Sequence, residues 1–341
     1  MPCLAHASWR SQRVALGLVA DLIIINRSAA RARRSWPTIK SQLDAARVDY
    51  QAYETKAPGD ATERTRAALK SGTESLVVVG GDGTLSEVAE GFFEFNDDLD
   101  VLPSAINPSA TLAIVPAGTG DDFARGLYGR RSPLEESMQT FLSYTRGDSM
   151  SIARRIDVLY GRCNGYEKPF ICLNASTMGI GGETAGRVAA QGKFMRKFSG
   201  EFRFVCAAVG ALAAWRERRV VVTVDGRTVA DGPMNLVAVA NALYAGGGMM
   251  LSPDASIDDG KLDVITASGL SRANVVTELS RVHKGGHVNN PKVTITQGTI
   301  VRIETLLLQD AMPLEADGNV RGVTPVQFQV LPGALRFVSR A

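Results

Sequence analysis

An α/β domain with a mostly parallel sheet, followed by a β-rich sandwich domain, is the fold class this sequence predicts. Three observations lead there. Strand-like apolar runs alternate with helical patterns through the first part of the chain, and two of those runs end in glycine turns. From about residue 150 onward, short β-rich segments take over. A chain of 341 residues also exceeds one comfortable core. The expected division is 18–150 and 151–341, with the last segment packing back on the first domain.

Taken in order, Leu22 to Asn26 reads as a first strand, Trp36 to Ala46 as a helix, Val48 to Glu54 as a strand and Ala61 to Ser71 as a helix. Ser75 to Val79 and Leu112 to Val115 read as buried strands. Between them, Asn96 to Pro108 is polar and holds Pro103 and Pro108, which makes it a surface excursion. Ser132 to Tyr144 reads as a helix leading out of this domain. The second domain offers strands at Ile156 to Tyr160, Phe170 to Asn174, Arg219 to Val224, Leu236 to Ala240, Leu262 to Thr266, Lys292 to Ile295, Ile300 to Glu304, Val326 to Val330 and Leu335 to Val338. Residues 181 to 219 interrupt it with helical material carrying Lys193, Arg196, Lys197, Arg203, Arg216, Arg218 and Arg219. Such a stretch is either a solvated helix face or a transient, peripheral contact with an anionic membrane.

Composition narrows the function classes. Hydrophobic content of 45% and charged content of 21% are those of an ordinary soluble domain, and a net charge of +3 gives no reason to expect nucleic-acid binding. Cys3, Cys163, Cys172 and Cys206 have neither zinc-site spacing nor the density of a secreted scaffold, so a reducing cytoplasm is expected. Arg10 and Arg13 before an apolar run imitate a signal peptide, but Asp21 interrupts the run and no clean cleavage site follows. Val205 to Trp215 is too short to span a bilayer. The expectation is a cytoplasmic protein, at most peripheral at the inner membrane face. An exposed strand edge could also pair it into a homodimer.

The chemistry concentrates in Val77-Val78-Val79-Gly80-Gly81-Asp82-Gly83-Thr84-Leu85-Ser86-Glu87. A buried strand feeding a glycine turn and then a helix is a phosphate cradle: residues without side chains let backbone N–H groups approach oxyanions, and the helix aims its positive end at them. The carboxylate within the turn suits a cation beside those phosphates. A second turn, Pro116-Ala117-Gly118-Thr119-Gly120-Asp121-Asp122-Phe123-Ala124-Arg125, follows the fourth strand. Two such turns in one parallel sheet fall at its carboxyl edge, where ligands bind. Neither matches Walker A or the GxGxxG fingerprint. Arg31, Arg33 and Arg34 either neutralise phosphates near the first strand or are simply exposed. His283 and His287 lack a third ligand and read as exposed or locally bonded histidines.

These turns, with Gly246-Gly247-Gly248-Met249, the Ser252-to-Val264 segment containing Asp258-Asp259-Gly260-Lys261-Leu262-Asp263-Val264, Asp317-Gly318 and Leu331-Pro332-Gly333-Ala334-Leu335, resemble the bacterial diacylglycerol kinase and sphingosine kinase-like lipid kinase family from about residue 20 to the end. The resemblance implies an NAD kinase/diacylglycerol kinase-like fold, a lipid alcohol acceptor entering a cleft between the domains, and ATP with Mg²⁺. It places nucleotide contacts on Asn26, Arg27, Ser28, Ala29 and Ala30, on Thr55, on Gly81, Asp82, Gly83, Thr84, Leu85, Ser86 and Glu87, and on Thr119. Asp82 would hold Mg²⁺ or its water shell. A structural Mg²⁺ site would map to Asp259 with the carbonyls of Ser256 and Lys261; the alternative is an acidic turn without metal.

Departures from the family pattern fall at three places. Its DGE becomes Asp317-Gly318-Asn319, and asparagine cannot act as a base, so Asp317 is expected to take the proton while Asn319 orients the hydroxyl. Glu315, two residues upstream, would share Asp317's face if both lay on a strand. The usual Asn of GTxNDFAR is Asp121, which adds negative charge near the phosphates unless it points away or meets a cation. The NPxSG pattern becomes Asn26-Arg27-Ser28-Ala29-Ala30, losing a glycine turn while gaining a positive charge. Diacylglycerol is the leading acceptor, with a sphingoid base or ceramide next. An NAD kinase-like enzyme and a nucleotide- and lipid-binding protein that has lost turnover are the alternatives.

Overall fold

A computed structural model describes residues 20–96, 98, 101–131, 133–163, 168–192, 195, 198 and 200–341. Cys3, Arg10, Arg13, Ser132, Lys193, Arg196 and Lys197, singled out above, lie outside the described residues. The chain divides into two compact units, one of residues up to 156 together with 333–341, the other of 157–332.

In the first unit β1 (Asp21–Ile25), α1 (Ala30–Ala45), β2 (Tyr50–Glu54), α2 (Asp60–Lys70), β3 (Ser75–Gly80) and α3 (Asp82–Gly91) alternate. A short hairpin of β4 (Phe93–Glu94) and β5 (Ser104–Ala105) follows, then β6 (Thr111–Pro116), α4 (Asp122–Tyr128) and α5 (Leu134–Arg146). The sheet order is β2-β1-β3-β6, parallel throughout. Every residue of β3 and β6 is buried, which is why their sequences read as unbroken apolar runs. One sheet face packs Ile23, Ile25, Val77, Val79 and Val115 against Ile39 and Leu43 of α1 and Phe141 of α5. Parallel strands present all their carboxyl ends along one edge, so the turns after β1, β2, β3 and β6 are gathered there.

Helix α1 starts six residues before the expected Trp36 and carries Pro37 within it. Its buried residues are Ala32, Ile39 and Leu43, a single stripe. Its first turn is polar apart from alanine, so it left no apolar signal.

Strand β7 (Ser151–Cys163) leads into the second unit, which continues with β8 (Phe170–Cys172), β9 (Ala175–Gly179), α6 (Ile180–Ala189), α7 (Gly200–Ala214), β10 (Arg218–Val224), β11 (Arg227–Met234), β12 (Leu236–Ala240), a β13 (Tyr244–Ala245) and β14 (Met249–Met250) hairpin, β15 (Leu262–Ala267), α8 (Arg272–Val282), β16 (Val293–Gly298), β17 (Ile300–Glu304), β18 (Pro313–Ala316), β19 (Asn319–Val323) and β20 (Val326–Arg340). An antiparallel sheet of order β16-β15-β12-β9-β18-β19 faces a second layer containing β11, β10, β17 and the first half of β20. Met178, Val237, Val264 and Leu314 from one layer and Val222, Ile303 and Phe328 from the other form a common core, a β-sandwich.

The two strands expected near the end are one continuous strand. Residues Val326 to Gln329 of β20 pair antiparallel with Ile303 to Ile300 of β17, whereas Arg336 and Phe337 pair in parallel with Thr111 and Leu112 of β6. The Pro332-Gly333 step falls between those two ladders, so the backbone passes from one partner to the next without a turn. Among the described residues no helix is long and apolar enough to cross a membrane.

Candidate active site

At the edge of the first unit's sheet the two glycine turns touch. A Cβ built on Gly118 would sit 2.4 Å from Gly81 Cα, and one built on Gly81 would sit 2.9 Å from Gly118 Cα. Any side chain at either position would push the backbones apart. The turns are also bonded to one another. Ala117 N–H donates to Gly80 O at 2.8 Å, and the Asp82 carboxylate accepts the N–H groups of Asp122 and Phe123, both at 3.0 Å. Asp82 thus caps the first turn of α4 from the neighbouring loop. Each of its oxygens accepts one of these amides. A carboxylate is also the oxygen chemistry that suits a cation's water shell.

The loop after β1 joins the same cluster. Asn26 Nδ2 donates to Thr84 Oγ1 at 2.9 Å, and Asn26 Oδ1 accepts Ser28 N–H at 3.1 Å. This Asx turn does the work of the missing glycine turn. Arg27 instead pairs with Glu54 at 2.9 Å on the exposed surface. Thr55 extends the ladder, its N–H donating to Ile25 O at 2.9 Å. Leu85 is fully buried and its N–H is bonded to Gly81 O, while Ser86 is also buried, so these two face the protein rather than the edge. Glu87 accepts the Thr62 hydroxyl on its carbonyl. Gly83 has open space beside it.

A cavity of about 390 Å³ opens here, lined by Ala29, Ala30, Arg31, Arg34, Ala117, Gly118, Thr119 and Arg131. It therefore unites Ala29, Ala30 and Thr119 with three guanidinium groups. The added charge of Asp121 is answered by one of them: Arg31 Nη1 lies 2.7 Å from Asp121 Oδ2, while Asp121 Oδ1 accepts Gly118 N–H at 2.8 Å. Asp121 has φ +53°, a conformation that Asp and Asn tolerate better than most residues. Arg131, whose guanidinium donates to Thr119 O at 3.0 Å, was not foreseen. It stands in an exposed Arg130-Arg131 pair beyond α4, and nothing in that pair points to a ligand.

In the second unit, β18 and β19 are joined by Asp317 and Gly318, both at positive φ, +47° and +79°. This is the Asp-Gly signature of a two-residue hairpin turn. Strand β18 ends at Ala316, so the alternation that would have put Glu315 and Asp317 on one face does not reach Asp317. Asp317 accepts the N–H groups of Leu173 and Asn174 at 2.8 and 3.0 Å. Glu315 accepts the Thr177 hydroxyl at 2.7 Å and Gly318 N–H at 2.8 Å, and burial pushes its carboxyl up to about 7. Asn319 stands opposite Ala316 across the hairpin, half-buried.

The loop of Ser256, Asp259 and Lys261 is held from inside. Asp157, buried in β7, accepts Gly260 N–H at 2.6 Å, and its N–H donates to Ile257 O at 2.6 Å. Asp259 accepts Lys261 N–H at 3.0 Å in an Asx turn. One carboxylate with neighbouring carbonyls is an all-oxygen set that suits a hard cation. Asn241 Nδ2 donates to both Asp157 O and Leu173 O, at 3.1 and 3.0 Å. A buried chain of bonds thus runs from this loop through Asp157, Asn241 and residues 173–174 to Asp317. Asp157 was not foreseen either; its only sequence signal is a charge between Ile156 and Val158 in a buried strand. His283 bonds to the carbonyl of Gly248 within the Gly246–Met249 turn and His287 to that of Leu251 beyond it, so both are locally bonded.

Known proteins resemble this chain over most of its length. Residues 21–152 match the diacylglycerol kinase catalytic domain, and residues 178–339 match the YegS C-terminal NAD kinase beta sandwich-like domain. Diacylglycerol kinase of Bacillus subtilis (strain 168) is 25% identical over 308 residues, covering 90% of this chain and 91% of the relative. A Xanthomonas campestris pv. campestris (strain 8004) protein named "Probable lipid kinase YegS-like" is 31% identical over 229 residues, 67% of each chain. The crystal structure of a diacylglycerol kinase from Bacillus anthracis str. Sterne shares the fold with a TM-score of 0.65 at 22% identity, covering 94% of this chain and 96% of that one.

Proposed function

The chain belongs to the diacylglycerol kinase and YegS-like family of lipid kinases, and from that premise we propose that it transfers the γ-phosphate of ATP to the free hydroxyl of diacylglycerol. The observation that carries this reading is the contact of Gly81 with Gly118 beside a cavity lined by Arg31, Arg34 and Arg131. Main-chain donors and guanidinium groups are what a triphosphate requires, and their fixed placement supplies the positioning on which phosphoryl transfer depends.

Within this reading Asp82 does two things, fixing the α4 turn against the glycine loop and presenting a carboxylate to a cation's water shell. A divalent cation, when bound, offsets charge on the triphosphate. Asp259 with the carbonyls of Ser256 and Lys261 would hold the second, structural ion. Asp317 takes the acceptor proton, Asn319 orients the hydroxyl, and Glu315 is a positioning residue that holds Gly318 N–H.

Incubation of the purified chain with labelled ATP, Mg²⁺ and separate preparations of diacylglycerol, a sphingoid base and ceramide tests the reading. Label in the organic extract with diacylglycerol is the expected result. Label only with another of the lipids would move the assignment to that lipid. One observation favours a second reading, a binding protein without turnover: the family's carboxylate is Asn319 here, and both Asp317 oxygens are engaged by amides. Nucleotide binding with no phosphorylated lipid in any arm would support that alternative.

A further inference from the structure

Strand β12 is flanked at both ends by a buried asparagine, and the two are bonded differently. Asn235, before Leu236, meets the main chain of Leu270 with both halves of its carboxamide: Nδ2 donates to Leu270 O at 3.2 Å and Oδ1 accepts Leu270 N–H at 2.8 Å. Asn241, after Ala240, directs Nδ2 at two carbonyls, Asp157 O at 3.1 Å and Leu173 O at 3.0 Å. Its orientation is thereby settled, because a carboxamide turned over would aim Oδ1 at two other oxygens.

These contacts belong to a clamp on residues 173 and 174. Besides the bond to Leu173 O, the N–H groups of Asn241 and Ala242 both donate to Asn174 O, at 2.7 and 3.0 Å. The N–H groups of the same two residues are the ones that Asp317 accepts, and Asp317 donates its own N–H to Ala175 O at 3.2 Å. Asp317 lies in the turn between β18 and β19, outside their ladder, so its carboxylate is located by this segment. Asn241 holds the segment by its carbonyls while the segment holds Asp317 by its amides.

We propose that Asn241 is a positioning residue for phosphoryl transfer, setting the place and angle of the Asp317 carboxylate through residues 173–174. The inference rests on the reading of Asp317 as the group that takes the acceptor proton, since a base has to stand within hydrogen-bond reach of the hydroxyl. Displacement of a catalytic group by about 1 Å is enough to cost about a hundredfold in rate. Only an asparagine-like double donor of this length serves both carbonyls; an aspartate would repel them.

The test pairs steady-state kinetics with a spectroscopic probe. Leu173-Asn174 is the sole Leu-Asn step in the chain, so carbonyl-carbon-labelled leucine with nitrogen-labelled asparagine isolates the Asn174 amide resonance. Asn241→Asp keeps the side chain's size and removes both donors. It should lower kcat about a hundredfold, leave KM for ATP and lipid unchanged, and move the Asn174 resonance, as Asp317→Asn does. Asn241→Ser, which retains one hydroxyl donor and covers the case that the first variant does not fold, should lower kcat about tenfold. Asn235→Asp makes the same exchange at the other end of β12 and should lower the melting temperature to a similar extent, with kcat and the Asn174 resonance at parental values.

Parental kcat in both Asn241 variants would overturn the inference, as would an unmoved Asn174 resonance. An equal loss of kcat in Asn235→Asp would overturn it too, because Asn241 would then do no more than support the fold. Were the parental chain to phosphorylate no lipid, the kinase reading would fall by itself. The clamp on Asp317 would still be upheld by an Asn174 resonance displaced in Asn241→Asp and not in Asn235→Asp.

Discussion

Arg31 and Asp121 form one ion pair that carries a family departure without an uncompensated charge. The Asp121 carboxylate is fully buried, Arg31 reaches it at 2.7 Å from a partly exposed position, and the same guanidinium lies 3.3 Å from Gly118 O. Removing the cation alone takes the ion pair from a buried carboxylate beside the glycine turns. Arg31→Ala should therefore cost about 2 kcal/mol in urea unfolding, below the usual figure for a fully buried pair because Arg31 is partly solvated. Asp121→Asn keeps an acceptor for Gly118 N–H and should cost under about 1 kcal/mol, and adding it to Arg31→Ala should restore most of the loss. Equal losses in the single and double variants would exclude coupling.

The two loop glycines are expected to differ sharply from a third. Gly118→Ala places a methyl group against Gly81 backbone and should destabilise the fold by about 2–4 kcal/mol while abolishing ATP binding. Gly83→Ala meets open space on a helix and should leave the thermal midpoint unchanged or slightly raised. Scanning calorimetry with an ATP titration reads both.

Glu315 makes a pH prediction with a definite sign. Its carboxyl is raised from 4.5 to about 7 by burial, so the folded state holds this proton longer than the unfolded chain does. The stability it contributes is complete below about pH 4.5 and is lost as pH rises to about 7, a difference of a few kcal/mol. Glu315→Gln should flatten this part of the profile and be relatively more stable at neutral pH. Parallel parent and variant curves of urea midpoint against pH would contradict the assignment.

Asp317→Asn presents an amide N–H₂ to one of the two backbone N–H groups that the carboxylate accepts. A loss of about 1–3 kcal/mol is expected together with loss of lipid phosphorylation, while ATP affinity, measured by calorimetry, stays at the parental value. Retained turnover would remove Asp317 from the proton-accepting role.

If Asp259 and its neighbouring carbonyls hold an ion, millimolar Mg²⁺ should raise the thermal midpoint relative to chelator, by mass action on the folded state. Asp259→Ala should erase that difference. A midpoint indifferent to magnesium in the parent would leave the loop as an Asx turn held by Asp157.

Much of this was legible from side-chain pattern. Val77 to Val79 and Leu112 to Val115 announce buried parallel strands because each is apolar on both faces, and the glycine turns after them mark the sheet edge where Gly81 meets Gly118. What escaped was set by tertiary partners. Arg31 reads as one of several arginines until Asp121 is brought to it across ninety residues, and Asp157 becomes informative only beside Gly260. The same-face argument for Glu315 and Asp317 failed for a local reason: positive φ at Asp317 ends the strand one residue too soon.

Strand β20 has a consequence for how the protein is made. Residues 333–341 belong with the first unit, and Phe337, fully buried, rests edge-on against Phe123 at 5.0 Å. During synthesis from the amino end, the first unit must therefore wait with β6 open on that side until the last-made residues leave the ribosome, although all its other strands emerged long before. An unsatisfied strand border is a template for sticking to other chains, so the interval between those two moments is when a nascent molecule is most exposed to aggregation.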